Sequence, residues 1–511
     1  MARLPVPGTD DGAWGALLNE FLRVAHREDG TLRGVTNVAN VLDFGAVADD
    51  ATDNREAFQS AIDALAATGG GALYVPPGVY RVAPISSHPE GAGIRLRDNI
   101  TIYGAGTASI IRRTGQSGAG LMIGRGVSKV RISRLAIDLG SVTKNYPTGL
   151  HFDRDLNSPR GCADITIDHC YIRCDPPEIA GQAKPTLHAI LSQYTEGLQM
   201  HNNRIERMQL KASGSGGSGP GIWIVGNRFT DPHNFAASVV LTQSSDVISD
   251  VWVLDNQIVN LPSAGGIYVG SDDANTAIGT CKRVRICGNI ISGTWAADAL
   301  GIIARYCSVS EDWIIDGNIL DNDGSIFNGS FGIFVKGLPG ATLESLKVRG
   351  NTVRSVDHAG IQVTGTVDGL VVADNHVYGS RGIRVIAGAA GIANGAIHHN
   401  VARGKQQGIL TQATNGSIRK LQIDHNTCWN HTGSTTQGIL LQCDAGQHLQ
   451  ATLAANVCFD DQSIRTQQYG IRETGAGTWD TAYAHCDLRG NASAGLQGIN
   501  SAAYLHENRL A

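Results

Sequence analysis

Two apolar residues set two apart, an Asn three positions after the second, and a further apolar residue two beyond the Asn make a phrase that recurs along the chain. It reads Val251-Trp-Val253-Leu-Asp-Asn256-Gln-Ile258, and returns as Ile222-Trp-Ile224 to Asn227, Val284-Arg-Ile286 to Asn289, Leu346-Lys-Val348 to Asn351 and Leu421-Gln-Ile423 to Asn426. Asn203, Asn318, Asn375, Asn400, Asn456 and Asn491 hold the same slot, and Ala105, Leu135 and Cys170 hold it in three earlier turns. Successive slots lie 24 to 35 residues apart. Alternation turns the apolar pair inward on a strand, and a fixed repeat of that length predicts a stacked parallel β-helix of about 14 coils. Each inward Asn amide would bond to backbone and to the Asn one coil away, a ladder at about 4.8 Å. Ile205, Phe229, Ile258, Ile291, Leu320, Val353, Val377, Cys428 and Cys458 form a second inward stack two positions on.

Another strand recurs as Gly-Ile-x-apolar, at Gly266-Ile-Tyr-Val, Gly301-Ile-Ile-Ala, Gly332-Ile-Phe-Val, Gly360-Ile-Gln-Val, Gly382-Ile-Arg-Val, Gly408-Ile-Leu-Thr and Gly438-Ile-Leu-Leu. Its third and fifth residues point out, so stacking lines them up as a continuous wall. Ahead of the repeat lie two helical patterns. Residues 11–26 place Trp14, Leu17, Leu18, Phe21, Leu22 and Ala25 on one face of a short amphipathic helix, which needs a partner surface to be stable. Residues 53–67 start with Asp53 and Glu56 at capping spacing, carry the stripe Phe58, Ala61, Ile62 and Leu65, and stop at Gly69-Gly-Gly71.

The run from Asp43-Phe-Gly-Ala through Asp49-Asp-Ala-Thr-Asp-Asn, the helix, and Gly69-Gly-Gly-Ala-Leu-Tyr-Val-Pro-Pro-Gly-Val-Tyr-Arg-Val resembles the opening of pectate-lyase-superfamily proteins, including the branch related to family 28 glycoside hydrolases. The resemblance implies a right-handed parallel β-helix with this helix as its N-terminal cap. The stretch from Leu4-Pro-Val-Pro-Gly-Thr to Asp29-Gly-Thr-Leu is similar to the leaders of phage tailspike and tail-fibre proteins. The expected organisation is therefore a leader over 1–40, for attachment or oligomerisation, and one capped β-helix domain over 41–511.

Composition narrows the function. With 511 residues, 64 Gly and only 17% charged residues, the chain suits short strands and tight turns. A formal charge of −5 argues against nucleic acid as partner. The sequence contains no long apolar run for a membrane span and no apolar signal-peptide core at Met1-Ala-Arg-Leu, which implies synthesis in the cytoplasm. A tail-type protein would reach a virion or the exterior by lysis. The ten cysteines are expected to be free thiols, without zinc spacing.

Two patches of the wall carry candidate chemistry. In Gly149-Leu-His-Phe-Asp-Arg-Asp, alternation turns out His151, Asp153 and Asp155. Two carboxylates at i and i+2 would lie about 6.5–7 Å apart at the backbone, a spacing for acid–base work or for Ca²⁺. The next coils offer His188, Ser192 and Tyr194, then Gln209 and Lys211. The second patch holds Tyr268, Asp272 and Asp273, with Arg305 and Lys336 on the two following coils, a set suited to an anionic sugar. Asp272-Asp273 is similar to the Asp-Asp pair of family 28 hydrolases, whose Asn-Thr-Asp and Gly-His-Gly motifs are absent. Asp231-Pro-His233 resembles part of the Asp-Pro-His-Glu motif of alginate C5-epimerases, with Asn234 in place of Glu. Trp223 and Trp252 should face outward on successive coils, as a sugar platform or a subunit interface.

The expected function is a carbohydrate-active protein of tailspike type that cleaves a polysaccharide by hydrolysis or β-elimination. Asp153, Asp155, Asp272 and Asp273 are the acid–base candidates; His151, Tyr194, Lys211, Tyr268, Arg305 and Lys336 are the binding candidates. No cofactor is expected beyond Ca²⁺ for an eliminating enzyme. The expected partners are a polysaccharide, sister chains in a trimer and a phage tail. A non-catalytic adhesin and a sugar epimerase are the alternatives, because this fold hosts all of them.

Overall fold

The computed structural model describes residues 6, 9–10, 12–25, 37–84, 92–115, 120–141, 148–155, 157–175, 187–214, 221–232, 238–243, 248–261, 265–270, 279–296, 298–307, 309–323, 330–433, 436–498 and 504–510. Each turn gives a strand to each of three parallel sheets. In the first, Ile222–Val225 pairs with Ile248–Leu254, and that strand with Thr280–Cys287. In the second, Arg228–Thr230 pairs with Gln257–Leu261, followed by Ile290–Trp295. In the third, Val239–Gln243 pairs with Ile267–Gly270, followed by Leu300–Arg305. About 13 turns stack in this way, close to the expected number, in an all-β right-handed parallel β-helix.

The corner between the first and second sheets explains the Asn repeat. The chain turns there in two residues, the first with left-handed backbone (φ +46° to +67° from His169 to Glu507) and the second with its side chain inside, an Asn amide at every corner but Cys170 and Cys486. Gly, Asn, Asp or His takes the left-handed position except at Ala455 and Glu507, in keeping with the low cost of that conformation for these types. Asn256 shows the bonding: Nδ2 donates to Ile224 O at 2.8 Å and to Asn289 Oδ1 at 3.0 Å, and Oδ1 accepts the Asn227 backbone N–H at 2.9 Å. Rungs run unbroken from Asn203 to Asn456. Asn491 is not among them. The rung after Asn456 is Cys486, whose backbone N–H donates to Asn508 Oδ1 at 3.0 Å, while Asn491 accepts from Gln467 and donates to Cys458 O.

The neighbouring inward stack is continuous through Ile205, Phe229, Ile258, Ile291, Leu320, Val353, Val377, Ala402, Cys428 and Cys458, all fully buried. All ten cysteines are free.

Helix α2, Arg55–Ala67, closes the N-terminal end with Phe58, Ala61, Ile62 and Leu65 buried, and Phe58 meets Tyr80 edge-on at 5.9 Å. Its N-cap position is Asn54, one residue later than expected, and Asp53 Oδ1 takes the Arg55 and Ala83 N–H groups. The first sheet already includes Val38–Asn40, which pairs with Gly71–Val75. Helix α1, Trp14–Ala25, keeps Trp14, Leu22 and Val24 exposed. No helix among the described residues is long and apolar enough to cross a membrane.

Candidate functional site

The outer face of the third sheet is the wall expected from the Gly-Ile repeat, and its register is unbroken across the candidate residues. His151 pairs with Leu191, Leu191 with Lys211, Lys211 with Val240 and Val240 with Tyr268. His151 and Tyr268 are thus four rungs apart, about 19 Å, with Lys211 midway.

The first patch is built on Thr148–Asp153 and its neighbours. Leu150 and Phe152 are fully buried in the core, which turns His151 and Asp153 out together. Arg125, one rung back, donates from Nη1 to Asp153 Oδ2 at 3.1 Å, and His151 Nε2 lies 3.8 Å from the same oxygen. All three side chains are largely covered, at 12–17% exposure. Burial pushes the His151 pKa below the ordinary 6.5; Asp153 opposes that and Arg125 reinforces it. His188 is buried more deeply, and burial together with the charges of Lys211 and His151 takes its pKa to about 3. Both imidazoles are therefore neutral at pH 7, in a patch that carries Arg125 and Lys211.

Several expectations change here. The strand ends at Asp153, so Asp155 does not share its face; it sits in the following turn, with Oδ1 accepting the Asn157 N–H at 2.9 Å. The anticipated carboxylate pair is not assembled on the strand. Ser192 pairs with Phe152, is buried and bonds to Thr195, leaving Leu191 and Gln193 in the partly exposed positions of that strand. Tyr194 has left-handed backbone just beyond the strand, and the Arg154 guanidinium sits 4.7 Å over its ring. Arg125 was missed because its strand lacks the Gly-Ile phrase; the signal was the outward position of Gly120–Arg125 next to Asp153.

The second patch is partly as expected. Tyr268 does leave the coil interior, but at 5% exposure it is buried in an external apolar cluster with Val240 and Ile303, backed by Leu300 and Phe334. Its hydroxyl accepts from Arg305 Nε at 3.1 Å, and the same guanidinium lies 5.3 Å from the centre of its ring. Arg305 also lies 5.5 Å from the Tyr306 ring centre, and Lys336 Nζ approaches that ring to 5.2 Å. Asp272, Asp273 and His233 lie outside the described residues. Asp231 is exposed at a corner and accepts from Asn260 Nδ2 at 2.6 Å.

Away from the wall, Trp223 and Trp252 stack on the outer face of the first sheet at 4.1 Å and 16°. Further along that sheet a shallow cleft of about 500 Å³ is lined by Lys420, Gln422, Gln450, Thr452 and Asp480. Among the described residues, the group with metal-ligand spacing is His485, His506 and Glu507, all exposed near the C-terminal end.

In sequence, known proteins resemble the chain over limited parts of its length. Residues 38–267 match the family model described as rhamnogalacturonase A/epimerase, pectate lyase-like. Mannuronan C5-epimerase AlgE6 of Azotobacter vinelandii is 47% identical over 72 residues, 14% of this chain and 8% of that protein. A probable rhamnogalacturonase A of Aspergillus niger is 25% identical over 224 residues, 44% of this chain and 43% of that one. The chain thus spans less than half the length of either relative. Among solved structures, the tailspike protein of E. coli bacteriophage HK620 in complex with a pentasaccharide superposes with TM-score 0.45 and 12% identity, over 94% of this chain and 82% of that one.

Proposed function

We propose that this right-handed parallel β-helix protein, whose residues 38–267 match a pectate lyase-like family model, abstracts a proton from an acidic polysaccharide bound along the wall of the third sheet. The observation that carries the reading is His151: a covered, neutral imidazole held beside the Arg125–Asp153 ion pair. The similarity to mannuronan C5-epimerases and to a probable rhamnogalacturonase supports a saccharide as substrate.

A uronate ring carries a weakly acidic C5–H next to its carboxylate. Removing that proton needs a neutral base and positive charge for the electrons that move onto the carboxylate. His151 is that base. Arg125 and Lys211 flank it along the wall and supply the charge; Asp153 orients the imidazole and balances Arg125. The carbanion-like intermediate then has two exits. Expulsion of the 4-O substituent gives chain cleavage by β-elimination. Return of a proton to the opposite face gives the C5 epimer. Hydrolysis by paired carboxylates has less support, since Asp155 stands off the strand face and Asp153 is committed to Arg125. Tyr194, Arg305 and Lys336 are proposed to hold sugar units beyond the reacting one.

The test exposes uronate polymers to the wild type and to His151→Gln in heavy water. Deuterium entering C5 or unsaturated ends forming with the wild type, and neither with the variant, support the reading and tell epimerisation from elimination. New reducing ends without unsaturation would replace it with hydrolysis. Polymer binding without any chemistry would leave an adhesin.

A further inference from the structure

Eight rungs along the wall from His151, and four beyond Tyr268, the outward position is held by Arg384. Around it the side chains of Phe331, His358, Gln362, Arg381 and Gln406 converge. Arg384 Nη1 donates to Gln362 Oε1 at 2.8 Å and to His358 Nε2 at 3.1 Å. Arg381 donates from Nε to Gln406 Oε1 at 2.7 Å and brings Nη1 to 3.5 Å from His358 Nδ1. Among the described residues neither guanidinium has a carboxylate partner, although most other arginines on the coils do.

The hydrogen bonds around His358 do not close. Accepting from Arg384 at Nε2 places the ring proton on Nδ1. The Nδ1–H then faces an Arg381 N–H, donor against donor, at 3.5 Å. One oxygen between them would accept from both. Arg384 Nε is also buried without a hydrogen-bond partner, so the half-buried cation is incompletely satisfied. Gln362 is held in place by Thr364, and the His358 ring rests 4.4 Å from that of Phe331. Burial, Arg381 and Arg384 hold the His358 pKa below its ordinary value against the opposing charge of Asp357, in agreement with a neutral ring. Two adjacent cations with no carboxylate bonded to either among the described residues, together with a donor-bearing neutral imidazole, form an incomplete anion cage.

We propose that His358, Arg381 and Arg384, braced by Gln362 and Gln406, form a separate oxyanion site on the wall that takes the carboxylate of an acidic sugar. The choice of carboxylate among oxyanions rests on the proposed function; the site itself rests on the unmatched donors. Its place about 19 Å past Tyr268 would anchor a long polymer remote from the reacting ring.

Titration of the full chain with glucuronate, and separately with inorganic phosphate, tests the site without turnover. Wild type should bind glucuronate, and Arg384→Gln should weaken that binding by about tenfold or more, the range for loss of a charge-assisted bond. Arg384→Lys, which keeps the charge but not the planar fork, should recover only part of the loss. Equal glucuronate binding by wild type and Arg384→Gln overturns the site, as does absence of any binding to the wild type. Phosphate binding with no response to glucuronate overturns the carboxylate assignment. A circular dichroism melt of each variant shows whether it is folded, and an unfolded Arg384→Gln passes the decision to Arg381→Gln. Binding lost in these variants while no polymer is turned over by the wild type would sink the proposed reaction and keep the site.

Discussion

Replacing Asn318 by Ala takes one rung out of the middle of the ladder. Asn318 Oδ1 accepts the Asn289 backbone N–H at 3.0 Å and Asn289 Nδ2 at 2.9 Å, and its own Nδ2 donates to Ile286 O at 2.8 Å and Asn351 Oδ1 at 2.9 Å. Asn289 Nδ2 keeps Val253 O and Cys287 O, and Asn351 Oδ1 keeps the Asn318 backbone N–H. The Asn289 backbone N–H keeps nothing. An orphaned buried donor costs about 1–3 kcal/mol, and the other lost bonds about 1 kcal/mol between them, so the local cost is about 2–4 kcal/mol. A long stacked array need not unfold in one step, so global denaturation is the wrong measurement. Hydrogen exchange at the Asn289 amide reads the local opening directly. It should speed up roughly 30- to 1000-fold, at about 1.4 kcal/mol per tenfold. Exchange within about fivefold of the wild type would refute the claim that the rungs carry stability.

Other outcomes follow from the wall and from the buried imidazoles. His151→Gln should lower turnover by roughly 10²- to 10⁴-fold with polymer binding kept, the usual contribution of a positioned base, as initial rates and a binding isotherm would show. Because the His151 pKa lies below 6.5 and Asp153 is what raises it, the acid limb of the pH–rate profile should fall below pH 6.5 and move lower still in Asp153→Asn; a limb moving upward would contradict the arrangement. His188 and His431, with folded values of about 3 and about 4 against 6.5 unfolded, bind protons preferentially in the unfolded chain as pH drops. Stability should therefore be steady above pH 6.5 and decline through the interval down to about 4 and 3, less steeply in His188→Gln, in urea titrations at fixed pH. Activity should survive a chelator, since Arg125 and Lys211 already provide the positive charge; loss restored by Ca²⁺ would show that they do not suffice.

The coil was readable because its two governing demands, an amide at the corner and apolar residues two apart, are met by the same residue types in each turn. It misled at Asn491, where the true rung, Cys486, is not an amide and a nearby Asn stood at acceptable spacing. The left-handed His485 just before Cys486 was the better signal. The wall was legible in register but not in depth. Tyr268 was expected to be open, yet outward Val240, Ile303 and Phe334 cover it with a second apolar layer. Ile303 and Phe334 occupy the third position of their phrases and Val240 the matching place in Ser238-Val-Val-Leu, so the information was in the sequence, but alternation alone says which side a residue faces and not what else gathers there. Asp155 was misplaced because the end of a strand is set by a local Asx turn, which period-2 reasoning extends past. Arg384 stood in plain view in Gly382-Ile-Arg-Val; only its lack of a carboxylate partner among the described residues, a property of three dimensions, made it informative.

The two-residue corner has one more consequence. Rung-to-rung intervals range from 22 to 33 residues in the ladder, yet each returns the chain to the same amide contact except the one that ends at Cys486. A corner-to-corner segment is therefore a portable cassette with standard joints: its ends are specified by a left-handed residue and an Asn, and its middle is free to differ in length. Whole turns bearing a different wall could be exchanged between β-helices by splicing at these joints, with the axis of the coil left as it was.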